Sequence, residues 1–103
     1  MTRPTILVNT DVTILLRITS GFSRNDIDCV LFALKHVKES IVVEMSSDAG
    51  DIAVSEQQDN LIIVDISRNH ISIPGVYFVR ASFIDKEGKI RPLTPNIQTL
   101  TFI

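Results

Sequence analysis

Apolar and polar residues alternate with a period of two over most of the chain, a spacing that predicts strands rather than helices. The clearest run is Tyr77, Val79, Ala81 and Phe83, one large apolar strand face. Pro74-Gly75 stops whatever precedes it, since Pro fixes φ and Gly tolerates positive φ. Asp85-Lys86-Glu87-Gly88 ends the run as a hairpin turn, with Gly88 suited to its left-handed position. A second run sets Val12, Ile14, Leu16 and Ile18 against Thr13, Leu15, Arg17 and Thr19. A third sets Ile62, Val64 and Ile66 against Leu61, Ile63 and Asp65. Shorter strands are expected over residues 4–8, 40–45 and 51–55, the first of them edge-like because Pro4 cannot donate to a ladder. A last strand begins at Lys89, is interrupted by Pro92 and Pro95 as an edge or a crossover, and resumes over residues 97–103. Turns or loops are expected at residues 9–11, 20–21, 46–50, 56–60 and 67–70, with Ile71 and Ile73 pinning the last connection to the body of the domain.

Residues 23–40 fit two patterns. As a helix, Ser23 is the N-cap with Asp26 three residues on, and Ile27, Val30, Leu31, Leu34 and Val37 form one face. As a strand, Val30, Phe32 and Leu34 point one way and Cys29, Leu31 and Ala33 the other. Strands on both sides in the chain favour the strand. The sum is about seven or eight short strands at regular spacing, the mark of an immunoglobulin-like antiparallel β-sandwich. Residues 1–103 form a single all-β domain, with a core of Ile14, Leu16, Val64, Ile66, Tyr77, Val79 and Phe83. A single Cys and no Trp mean that the disulfide and buried Trp of antibody domains are missing.

A net charge of −2 argues against a grip on nucleic acid, which needs a basic stripe. No apolar run reaches the length of a membrane span, and the first residues turn polar too soon for a signal peptide, so neither membrane contact nor export is expected. Cys29, His36 and His70 share no metal-ligand spacing and read as a buried thiol and two surface histidines. Asp48, Asp51, Asp85 and Glu87 fall in turns, where a short acid bonds nearby backbone, and the four glycines form no phosphate loop. No cofactor, metal or catalytic residue is assigned.

The informative feature is apolar residues on faces that water should cover. If Tyr77, Val79, Ala81 and Phe83 face the core, Val76, Phe78 and Ile84 face outward. If Val30, Phe32 and Leu34 face the core, Leu31 and Ala33 face outward. The two strands share a sheet in an immunoglobulin-like sandwich, so Leu31, Ala33, Val76, Phe78 and Ile84 are expected to form one assembly surface.

The order of the pieces is similar to the immunoglobulin-like N-terminal domain of phage upper-baseplate proteins and related prophage modules. The residues that carry the resemblance are Asp11 to Ile18, Asp26 to Lys35, Leu61 to Ser67 and the strand entry Ile73-Pro74-Gly75-Val76-Tyr77. Phe22-Ser23-Arg24-Asn25 stands where that family has a Gly-rich turn. The resemblance implies a non-catalytic virion structural module of the tail or baseplate. It would dock to itself or to another virion protein, as a homo-oligomer, in the virion or in the host cytoplasm before assembly. The other reading is an immunoglobulin-like binding module for a protein or carbohydrate ligand, although one Tyr and no Trp leave little for sugar stacking.

Overall fold

A computed structural model describes residues 5–19, 23–55 and 60–103. Expected features at Pro4, at residues 20–22 and in the loop at 56–59 lie outside the described residues. Nine strands follow one another among those described: β1 (Thr5–Ile6), β2 (Val12–Arg17), β3 (Ile27–His36), β4 (Val42–Ser46), β5 (Ile52–Val54), β6 (Leu61–Ile66), β7 (Gly75–Asp85), β8 (Ile90–Leu93) and β9 (Thr99–Phe102). Nine exceeds the seven or eight expected, because the segment around Pro92 forms a strand of its own. Asp85 N–H donates to Lys89 O, so Phe83 and Arg91 form a bonded pair while Ser82 and Pro92 do not. The missing N–H of Pro92 therefore points away from β7 and costs no ladder bond.

The strands form two sheets. One has the order β1-β9-β7-β3-β4, with β8 added along the far half of β7; the other has the order β2-β6-β5. All pairings are antiparallel except β1 with β9, where Thr5 lies beside Thr101 and Ile6 beside Phe102 in parallel register. The larger sheet is therefore mixed, where an antiparallel one was expected. With β2, β3, β6, β7 and β9 taken as strands B, C, E, F and G, this is the immunoglobulin-like arrangement, with the extra C′-type strand of variable domains. The ambiguous stretch is a strand, paired along its length with β7 from Ile27–Asp85 to His36–Tyr77. All that remains of the helical pattern is one 3₁₀ turn at Arg24–Asp26, and Ser23 gives it no side-chain cap. A ten-residue strand held on both sides outweighs a weak local helix preference.

Ile14, Leu16, Ile18, Ile62, Val64 and Ile66 pack from the smaller sheet against Val30, Phe32, Leu34, Tyr77, Val79, Leu100 and Phe102 from the larger. Of the expected core, Ile14, Leu16, Val64, Ile66, Tyr77 and Val79 are buried. Phe83 is a correction: it is only half-buried, because β7 runs for eleven residues against six for β2. It lines an open depression with Asp26, Asp85 and Arg91 at the hairpin end. Ile71 pins the connection after β6 as expected, but Ile73 is exposed. Tyr77 sits near the start of β7, and its hydroxyl donates to Ile73 O at 2.6 Å. That is the tyrosine corner of immunoglobulin-like folds, and it ties the entry of β7 to the connection that precedes it.

Candidate assembly surface

The outward face of the larger sheet follows from the pairing register. Across β7, β3 and β4, the rows are Phe78–Lys35–Val42, then Arg80–Ala33–Glu44, then Ser82–Leu31–Ser46. Ile84 pairs with Cys29 towards the far end, in the same register as these rows and just before the shift in β3 between Cys29 and Ile27. On the other side of β7, Thr99 lies beside Phe78 and Thr101 beside Val76.

The structure thus places Leu31, Ala33, Val76, Phe78 and Ile84 on neighbouring strands, β3 and β7, as expected, but does not join them into one apolar patch. The exposed Arg80 and Glu44 flank Ala33 and divide the face. Leu31, Ala33, Val76 and Ile84 are half-buried, and Phe78 alone of the five is exposed, at 49%. Phe78 has companions the sequence reading missed: Val42 at 53% and Val37 at 39% exposure. Val37 N–H donates to Val76 O, one step past the end of β3, so it stays beside β7. The apolar group is therefore Phe78, Val42, Val37 and Val76, gathered around the stem of Lys35. Its signal was present in the alternation of Ile41, Val42 and Val43, but which of these faces outward depends on the β3–β4 register, and that is a long-range fact.

The remaining candidates for chemistry are structural. Far from being at the surface, His36 is buried; it continues the inward row of Val30, Phe32 and Leu34. Its Nδ1 accepts the N–H groups of Lys38 and Glu39, both at 3.0 Å, which organises the turn after β3. With Nδ1 accepting, Nε2–H donates to Pro74 O at 3.1 Å. The ring meets Tyr77 edge-on, and Tyr77 meets Phe102 in the same way. Gly75, at φ +140°, leaves room for this imidazole; a Cβ there would overlap Nε2. Cys29 is buried, as expected, with Ser47 Oγ 3.6 Å from its sulfur. His70 holds a turn by accepting Ser67 N–H at 2.9 Å. Among the described residues, no three His, Cys, Asp or Glu side chains gather closely enough to hold a metal ion.

Asp85 organises the β7–β8 hairpin. Its carboxylate accepts Glu87 N–H and Lys89 N–H, both at 2.9 Å, and Arg91 Nε at 3.0 Å. The Lys89 amide first, and then the Arg91 guanidinium, hold its pKa below the ordinary carboxylate value. Gly88, at φ +83°, takes the left-handed position expected of it. At the opposite pole Asp11 accepts both the backbone N–H and the guanidinium of Arg68, and its pKa is likewise lowered, first by the side-chain bond.

No protein-family model, curated protein or solved structure matches the chain. Among the described residues, no helix is long and apolar enough to cross a membrane.

Proposed function

We propose that this chain is a non-catalytic assembly module, a small immunoglobulin-like domain that docks a larger protein against the outer face of its six-stranded sheet. The observation that carries the reading is Phe78, 49% exposed in the middle of a sheet, with Val42 and Val37 beside it. A lone exposed apolar residue needs no account, but a contiguous group containing a Phe marks a contact surface. The charge around the group specifies the occupant. Lys35 lies within the group, and Arg80 and Glu44 stand along its border, so the partner presents an apolar ridge with a carboxylate for Lys35 and charges of both signs at its rim. The resemblance to phage baseplate modules supplies the setting: a virion of the tail or baseplate type, reached from the host cytoplasm. A carbohydrate ligand is disfavoured, because the single Tyr of the chain is buried and its hydroxyl is spent on Ile73.

Phe78→Asp tests the reading. Expressed in its native host, the wild-type chain should co-sediment with nuclease-resistant particles and be found on them by immunogold labelling. The variant should fold with an unchanged melting curve and be missing from the particles. Equal incorporation of the variant, or wild type that never enters a particle, would overturn the proposal.

A further inference from the structure

Two apolar members of the outer face flank a turn that one buried imidazole holds closed. His36 ends β3 at 6% exposure; Val37 follows it directly, and Val42 opens β4 on the far side of the turn. His36 N–H donates to Ile41 O at 3.0 Å across the base of the turn, and Val37 N–H donates to Val76 O at 3.0 Å. Inside the turn, the N–H groups of Lys38 and Glu39 both end on His36 Nδ1, at 3.0 Å. The ring nitrogen does here what a backbone carbonyl does in an ordinary turn.

That service needs a neutral ring. An imidazolium donates from both nitrogens and accepts at neither. Turning the ring over only exchanges one N–H for the other, so no rotamer of the charged ring can accept from Lys38 and Glu39. The contact with Pro74 O is different, because Nε2 donates in either form. With Gly75 and Tyr77 packed against the ring as well, only its turn side is sensitive to the proton. The titratable groups facing the ring are Lys38 and Glu39 on the turn and Tyr77 on β7, whose hydroxyl is committed to Ile73 O. Lys35 precedes it on the outward side of β3. Among the described residues no carboxylate forms an ion pair with the ring. Lys38 and Glu39 are exposed, so water can take over their N–H groups once the turn lifts.

We propose that His36 is a proton-sensitive latch on the docking face: neutral, it pins the β3–β4 turn and holds Val37 and Val42 beside Phe78; protonated, it releases the turn and loosens both. The regulatory role rests on the docking function proposed above; the latch itself is a property of the chain alone. An unconstrained histidine takes up its proton at about pH 6.5. The turn is therefore closed above that range and opens as pH falls through and below it. The opening is local, because the ladder bonds of β3 and β7 do not involve the ring.

NMR of the full chain between pH 8 and pH 5 tests this, with amide exchange corrected for its intrinsic pH dependence. At pH 8 the His36 nitrogen shifts should show a neutral ring protonated at Nε2. On acidification the protection of the Lys38 and Glu39 amides should fall, approaching about tenfold per pH unit. The ring shifts and the Val37 and Val42 methyl signals should move in step, while the Val79 amide, bonded to Gln98 O, stays protected. His36→Asn places a carbonyl oxygen near the position of Nδ1 and does not titrate, so it should abolish the response of Lys38 and Glu39. The Ser67 amide, bonded to Nδ1 of His70, should still respond in that variant. If the variant does not fold, the wild-type titration decides alone: loss of protection at Lys38 and Glu39 must coincide with protonation of the ring. Unchanged protection down to pH 5 with the ring protonated would overturn the latch. So would a ring protonated at Nδ1 at pH 8, or a Val79 amide lost together with the turn. None of these readouts uses a partner, so failure of Phe78→Asp to change particle incorporation would refute docking and leave the latch standing.

Discussion

The two ends of β7 carry the same alternation of apolar and polar residues but live in different surroundings. At the entry, Tyr77 and Val79 are 1% and 9% exposed, Gly75 is fitted against His36, and the Tyr77 hydroxyl is tied to Ile73. At the exit, Ala81, Phe83 and Asp85 are half-buried, and β8 and the Asp85 carboxylate hold the strand from its own sheet. The entry is stabilised by burial across the sandwich and the exit by local hydrogen bonds. A period of two tells which residues share a face; it does not tell whether a second sheet lies over that face.

The largest consequence concerns the two rings that the alternation makes equivalent. Tyr77→Ala should cost about 3–5 kcal/mol, the usual range for a fully buried aromatic. Phe83→Ala should cost less than half as much, since water already reaches Phe83. Chemical denaturation of the two variants checks the contrast, and equal losses would mean that the exit end is as well covered as the entry. Next comes Gly75→Ala. The new methyl meets the His36 ring, and a φ of +140° is one that L-residues avoid. The backbone term alone should cost about 1–3 kcal/mol. Gly88→Ala, also at positive φ but with open space around it, should cost less in the same assay.

A smaller effect separates packing from bonding at the entry. Tyr77→Phe keeps the ring and loses the bond to Ile73, for about 0.5–1.5 kcal/mol. Burial raises the Tyr77 pKa above its ordinary 10.0. A raised pKa means that the folded state holds the proton more tightly. The stabilisation is therefore complete below pH 10 and is lost as pH climbs through the folded pKa. Because Tyr77 is the only tyrosine, phenolate absorbance reports this titration directly. Stability of the wild type should fall on the alkaline side of that point, and Tyr77→Phe should remove this part of the fall.

The contrast between the two ends also shows what a reader of the sequence can and cannot reach. The runs at residues 12–18, 61–66 and 76–84 name their strands and their inward sides, because each pattern is local. The fate of residues 23–40 was legible only through its neighbours in the chain, since helix and strand patterns both fit. His36 follows the parity of Val30, Phe32 and Leu34, yet its burial depends on the pairing of His36 with Tyr77, forty-one residues away by number. Val42 joins Phe78 only through two registers in succession, β7 to β3 and β3 to β4. Asn96, which closes the edge of β2, carries no local sign of that role, because its partner Arg17 lies in the other sheet. What was illegible in each case was a distance between segments rather than a preference within one.

The smallest expected effect belongs to the exit end and runs the opposite way in pH. Asp85 accepts two backbone N–H groups and the Arg91 guanidinium, and these hold its pKa below the ordinary 3.8. A lowered pKa means that the unfolded chain takes up the proton more readily. The carboxylate therefore stabilises the fold above about pH 4, and that contribution fades as pH falls through the lower, folded value. Asp85→Asn keeps one carbonyl oxygen for the turn but loses the charge that draws in Arg91, so its cost should be modest at neutral pH. The sharper sign is in the difference between variant and wild type, which should narrow as the buffer is acidified and stay constant on the alkaline side. Asp11→Asn should narrow in the same acid range, because Arg68 lowers that carboxylate as well. If the Asp85→Asn difference instead widens in acid, the hairpin is held by the Arg91 side chain packing and not by the Asp85 charge.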